Sequence, residues 1–111
     1  MEMTYHCRVE RQGRVQHIIN DIGLGQVVRE KYVHTVEQII AGQAGKYICV
    51  TDTGITIIKS EDKTKIITMY VTTFRELLSL YNGAKNIPAY LRKRVDRNQS
   101  FYIENGKTIW K

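Results

Sequence analysis

The run 46–71, KYICVT-DTG-ITIIKS-EDKT-KIITMYV, decides the fold. Three stretches rich in Ile, Val, Thr and Tyr are divided by Asp52-Thr53-Gly54 and by Glu61-Asp62-Lys63-Thr64. Those residue types suit a pleated, half-buried surface, and both dividers are short and polar. Short links force neighbouring strands to run antiparallel, so the reading is a three-stranded β-meander. Strand alternation puts Ile55, Ile57 and Lys59 on one face of the middle strand, with Thr56 and Ile58 on the other. In the last strand Ile66, Thr68 and Tyr70 are expected on one face, and Ile67, Met69 and Val71 on the other. That pattern predicts a sheet with one face packed on helices and the other partly open.

Downstream, Thr73-Phe74-Arg75-Glu76 has the spacing of a capping box, in which Thr73 accepts from the third helical amide and Glu76 reaches back. Phe74, Leu77, Leu78 and Tyr81 follow at i, i+3, i+4 and i+7, the signature of an amphipathic helix ending near Asn82-Gly83. Asn86-Ile87-Pro88 opens a final helix with an apolar stripe of Ile87, Leu91 and Val95, from which Lys93, Arg94 and Arg97 project. The ending, 101–103 and 108–110 around Asn105-Gly106, reads either as a small hairpin or as a frayed tail. Trp110 is expected to dock on the core, since burying an indole is strongly favourable.

Upstream, Thr35-Val36-Glu37-Gln38 is a second capping box. It heads a short helix with Val36, Ile39 and Ile40 as its apolar face and Gly42 as its stop. Residues 26–33 are open between strand, favoured by Val27, Val28 and Val33, and helix, favoured by Arg29-Glu30-Lys31. Residues 20–25 read as a break. Residues 5–10 and 14–19 flank Gln12-Gly13 and are expected to form an N-terminal hairpin. The expectation is an α+β fold with a small antiparallel β-meander, an N-terminal hairpin and two or three short helices. Residues 1–111 read as a single domain.

The chain has 111 residues and a formal net charge of +6. Its apolar share of 42% is too high for a disordered chain, and no apolar run is long enough to span a bilayer. The first residues lack the apolar stretch of a signal peptide, so a cytoplasmic address is expected. Residues 1–84 carry 10 basic and 9 acidic side chains, whereas 85–111 carry 7 basic and 2 acidic. A near-neutral scaffold therefore precedes a basic helix and tail. Localised positive charge attracts polyanions, because each neutralised phosphate releases condensed counterions. Arg92, Lys93, Arg94 and Arg97 are the candidate nucleic-acid contacts, with a solvated face or an acidic protein partner as alternatives.

Other chemistry finds little support. His6, His17 and His34 lack metal-ligand spacing, Cys7 and Cys49 form no CxxC motif, and no serine lies in a GxSxG frame. Gly23-Leu24-Gly25 lacks the remainder of a phosphate loop. Cys49, between Ile48 and Val50, reads as a buried, inert thiol. No motif calls for a metal or a cofactor.

Across 29–71 the order is a basic segment with His34, a short helix VEQIIAG, and a meander ending in KIITMYV. This arrangement resembles the broad superfamily of small ribonucleases that includes barnase, EndoU, colicin-type RNases and RelE-like toxins, many of them phage or toxin proteins. The resemblance implies metal-independent RNA cleavage, in which the ribose 2′-hydroxyl attacks the adjacent phosphate. That reaction needs an acid, a base and cations around the charged phosphorane. Carried onto this chain, it makes Thr68 and Tyr70 candidates to orient the hydroxyl or stack a base. His34 becomes the acid–base candidate, and Arg29, Lys31 and Lys59 become phosphate-stabilising cations. It also favours RNA over DNA as the ligand. Two non-enzymatic readings stand beside it: a nucleic-acid-binding module, and a phage or mobile-element accessory protein that binds a host protein.

Overall fold

The computed structural model describes residues 2–3, 12–104 and 107–110 in their backbone and residues 14–100 with their side chains. The predicted meander is present as β3 (Lys46–Thr51), β4 (Ile55–Ser60) and β5 (Lys65–Val71). Residues Val27–Val33 form β2, which pairs antiparallel with β3 and settles the open reading of that segment as strand. A two-residue strand, β1 (Glu2–Met3), lies parallel to β5, giving the sheet order β1-β5-β4-β3-β2.

Among the described residues four α-helices complete the fold: α1 (Gln12–Ile22), α2 (Val36–Ile40), α3 (Phe74–Tyr81) and α4 (Ala89–Gln99). A 3₁₀ turn, Ala84–Asn86, links the last two. β6 (Phe101–Glu104) and β7 (Lys107–Trp110) then form an antiparallel hairpin, which realises one of the two endings the sequence allowed. The docking expected of the Trp110 ring concerns a side chain outside the described residues.

The α+β class is as expected, with three departures. Residues 14–19, expected as a hairpin arm, belong to α1; residues 5–10, the other arm, lie outside the described residues. Val15, Ile18 and Ile19 explain the helix. At i, i+3 and i+4 they meet on one helical face, whereas strand alternation would divide them between two. Val15 and Ile18 are buried against Cys49, Ile55, Ile57, Met69 and Val71, with Ile19 packed beside them.

The second departure follows from the first. The sheet has no open face over its centre, because α1 covers one side while α3 and α4 cover the other. On that second side Val50 packs with Leu77, Leu80, Tyr81, Ile87, Leu91 and Val95. The third lies at the β4–β5 edge, where the pairing steps from Ile58↔Thr68 to Lys59↔Ile66. This bulge turns Ile66 to the α1 side, where it packs on the core, and leaves Ile67 exposed. Simple alternation places them the other way round.

Buried polar groups hold α4 to the sheet. Asn98 is fully buried, donates 2.8 Å to the Thr53 carbonyl and accepts 3.1 Å from Arg94 Nε. Arg14 of α1 donates to the Asn98 carbonyl at 3.3 Å, so the two helical layers meet around the β3–β4 turn. Gly54 in that turn has φ 84°, and a Cβ there would strike the Asn98 amide. Only glycine satisfies both demands. No helix among the described residues is long and apolar enough to cross a membrane.

Candidate nucleic-acid interface

Residues paired across strands share a face. The rows Arg29↔Val50, Val50↔Thr56 and Thr56↔Tyr70 therefore lie on the α3–α4 side, together with Lys31 and Thr68. The row Tyr32↔Tyr47↔Lys59 lies on the α1 side. Lys59 is thus separated by the sheet from Thr68 and Tyr70.

His34 stands just beyond β2. Its Nε2 donates to the Gln43 carbonyl at 2.9 Å, and its Nδ1 lies 3.2 Å from the Tyr32 hydroxyl. Tyr32 in turn donates to Glu61 at 2.6 Å, and the same carboxylate oxygen accepts the Gly45 amide at 2.7 Å. The Tyr32 hydroxyl holds the Glu61 carboxyl below its ordinary value, with the Gly45 amide adding to this. Donation to Glu61 pushes Tyr32 up to about 12. His34 thus ties the end of β2 to the loop after α2, and Tyr32 ties β2 to the β4–β5 turn.

Tyr70 is also engaged, donating to Glu76 at 2.7 Å beneath α3. Burial raises the Glu76 carboxyl above its ordinary value, with the Tyr70 and Thr73 hydrogen bonds acting against the rise. Cys49 is fully buried 3.7 Å from a Glu30 oxygen, and burial raises its thiol, as expected of an inert cysteine. Together, the four catalytic candidates divide into His34 and Lys59 on one side of the sheet and Thr68 and Tyr70 on the other. They do not form one cleft.

The nucleic-acid candidates are distributed differently. On α4 the buried positions are Leu91, Val95 and Asn98. At 3.6 residues per turn, Tyr90, Lys93 and Arg97 (i, i+3, i+7) form one outward row, with Arg94 at its inner edge. Arg92, Asp96 and Gln99 form another, and Asp96 stands beside both Arg92 (i+4) and Lys93 (i+3). Arg92 lies 4.8 Å over the Phe74 ring, which places it toward the start of α3. Arg94 is half-buried against Asn98; burial, helped by the charge of Arg97, lowers its guanidinium. Lys93 is exposed.

Arg29, distant in sequence, reaches this same surface. Its Nε donates to the Leu80 carbonyl at 2.9 Å, and its guanidinium lies 5.0 Å over the Tyr81 ring. Burial raises Tyr81, its neighbour Tyr90 adds to the rise, and Arg29 opposes it. Tyr81 packs with Leu91 and Val95 of α4, so Arg29 lies at the α3–α4 seam, on the side of the molecule where Tyr90, Lys93 and Arg97 follow one another along α4. Lys31, exposed two residues beyond Arg29, lies on the same sheet face. Sequence reasoning missed Tyr90, although its i, i+3, i+4, i+7 spacing with the basic residues was there to find. Among the described residues no three His, Cys, Asp or Glu side chains gather as a metal-holding group.

Comparison with family models, curated proteins and solved structures finds no match to this chain.

Proposed function

We propose that this protein binds nucleic acid through the face formed by α3 and α4. The observation that carries the reading is Arg29 seated over Tyr81, which packs with Leu91 and Val95 and so brings a β2 cation to the α3–α4 seam beside the basic row of α4. One surface then combines two groups of candidate residues, in which cations outnumber the acidic neighbours Asp96, beside Lys93, and Asp21, which acts on Arg94. Such a surface favours a polyphosphate backbone through counterion release and steers its approach.

Fluorescence anisotropy with a labelled RNA tests the proposal. Reversing Lys93 and Arg97 to Glu is expected to weaken binding at least tenfold. It should also flatten the salt dependence, by about 0.7 in log–log slope for each phosphate no longer neutralised. Unchanged affinity would refute the reading. Arg94 is left out of the reversal because it supports Asn98 in the core. Cleavage is not part of this proposal, since Lys59 is across the sheet from Thr68 and Tyr70. Incubating the RNA in EDTA checks that choice: cyclic-phosphate ends would restore the ribonuclease reading.

A second reading, a protein partner, draws on α2. Its Val36, Ile39 and Ile40 are 66%, 58% and 80% exposed, a small apolar projection with nothing over it among the described residues. A second copy of the chain is the partner tested most directly. A concentration-dependent dimer in sedimentation that Ile40→Asp abolishes would support self-docking, and a monomer at all concentrations would eliminate it.

A further inference from the structure

We infer that the ligand of the α3–α4 face is a single-stranded nucleic acid, with one base stacked on Tyr90. This rests on the nucleic-acid reading above and narrows its ligand class. Tyr90 is 52% exposed, on a helix that buries Leu91, Val95 and Asn98 on its other face. It lies within the basic row, one helical turn from Lys93. Leu91, the next residue, packs with Tyr81, and the Arg29 guanidinium lies above that Tyr81 ring. Helical spacing therefore sets the Lys93 cation one turn from the Tyr90 ring, which suits a stacked base whose adjoining phosphate needs a counter-charge.

The chemistry separates the ligand classes. In a duplex the base faces are hidden in the helical stack, so an exposed phenol beside the cations gains little beyond contact with sugar and phosphate. In a single strand each base offers a free π-face, and aromatic stacking adds affinity with little dependence on sequence. An acidic peptide would use Arg29 and Lys93, but its carboxylates carry no aromatic face to stack on the ring. Arg29 and Lys93 supply the salt-dependent part of binding, and Tyr90 supplies a part that salt does not screen.

The test uses the full chain and three labelled probes: a 15-nucleotide oligo-U RNA, a 15-nucleotide oligo-dT, and a 15-base-pair duplex. The wild type is expected to bind both single strands at least tenfold tighter than the duplex. Tyr90→Ala should weaken single-strand binding about tenfold without altering the salt slope, and Tyr90→Phe should retain it. Lys93→Glu should weaken all three probes and flatten the slope. If Tyr90→Ala binds like wild type while Lys93→Glu is weakened, the stacking inference falls and the nucleic-acid reading survives. A duplex bound as tightly as the single strands, or poly-glutamate displacing RNA at equal charge concentration, also overturns it. If no probe binds, both readings fall. Far-ultraviolet circular dichroism of each variant confirms that these exposed substitutions leave the fold intact.

Discussion

Two helices in this protein begin with the same local signal and end in opposite circumstances. At α2, Thr35 accepts from the Gln38 amide at 3.2 Å, and Gln38 returns to the Thr35 amide at 3.0 Å, closing the capping box. At α3, Thr73 accepts from the Glu76 amide at 3.2 Å, but the Glu76 carboxylate accepts from Tyr70 on the sheet face beneath it instead of returning. The helix with the complete box buries no residue; the helix with half a box buries Leu77, Leu80 and Tyr81. A cap starts a helix by satisfying amides that have no partner within it. It does not settle whether the helix packs. A side chain that serves both cap and core follows whichever partner lies in the less solvated place.

The sharpest way to break this contrast is to truncate each helix's apolar side chains. Leu77→Ala should cost about 3 kcal/mol, since Leu77 is fully buried and its loss leaves a cavity. Urea unfolding reads this directly, and a loss below about 1 kcal/mol would mean that α3 is not the anchor described. The caps come next. Thr35→Ala should weaken α2 by about 1 kcal/mol, a roughly fivefold rise in amide exchange at Ile39 and Ala41. The global urea midpoint should barely move, because opening α2 exposes little that was buried. A matching fall in that midpoint would show α2 to be part of the cooperative unit.

Glu76 sharpens the comparison through pH. Burial raises its carboxyl in the folded state, so the fold holds this proton more tightly than the unfolded chain does. Its contribution is fully present below the unfolded carboxyl value and is lost as pH rises through the folded one. Glu76→Gln removes that loss while keeping an acceptor for Tyr70. The variant should therefore gain on the wild type between pH 4 and pH 7, measured as the difference in urea midpoints. A wild type that gains on the variant over that range would contradict the burial. The smallest effect is expected at Ile40. Ile40→Ser should change stability by less than about 0.5 kcal/mol, since the side chain is 80% exposed. A larger thermal shift would mean that this side chain is covered in solution.

Much of the architecture was legible. The meander, α3, the capped α2 and the stripe of Ile87, Leu91 and Val95 on α4 all come from short-range patterns of hydrophobic spacing and turn chemistry. The misreadings have a common cause. Val15, Ile18 and Ile19 satisfy a helix only because a sheet face needs covering, and β-rich composition around them suggested a hairpin. Ile66 and Ile67 exchanged faces because a bulge, invisible in alternation, sits where Lys59 meets Ile66. Of the candidate site, the basic cluster on α4 was legible from charge alone. That Arg94 turns inward to Asn98 was not, since nothing in its neighbours distinguishes it from Arg97. The meeting of Arg29 with Tyr81 was beyond reach, because residues 52 positions apart are joined only by the packing of α3 over β2.

Periodicity and composition determined the elements and the location of the excess charge, because both depend on neighbours within a few residues. Which faces those elements turn toward one another depended on the tertiary structure. There, the burial of one apolar set competes with every other, and a carboxylate such as Glu76 or a cation such as Arg29 takes the partner that packing brings to it. The +5 of the final segment belongs to the sequence; the surface it shares with Arg29 belongs to the fold.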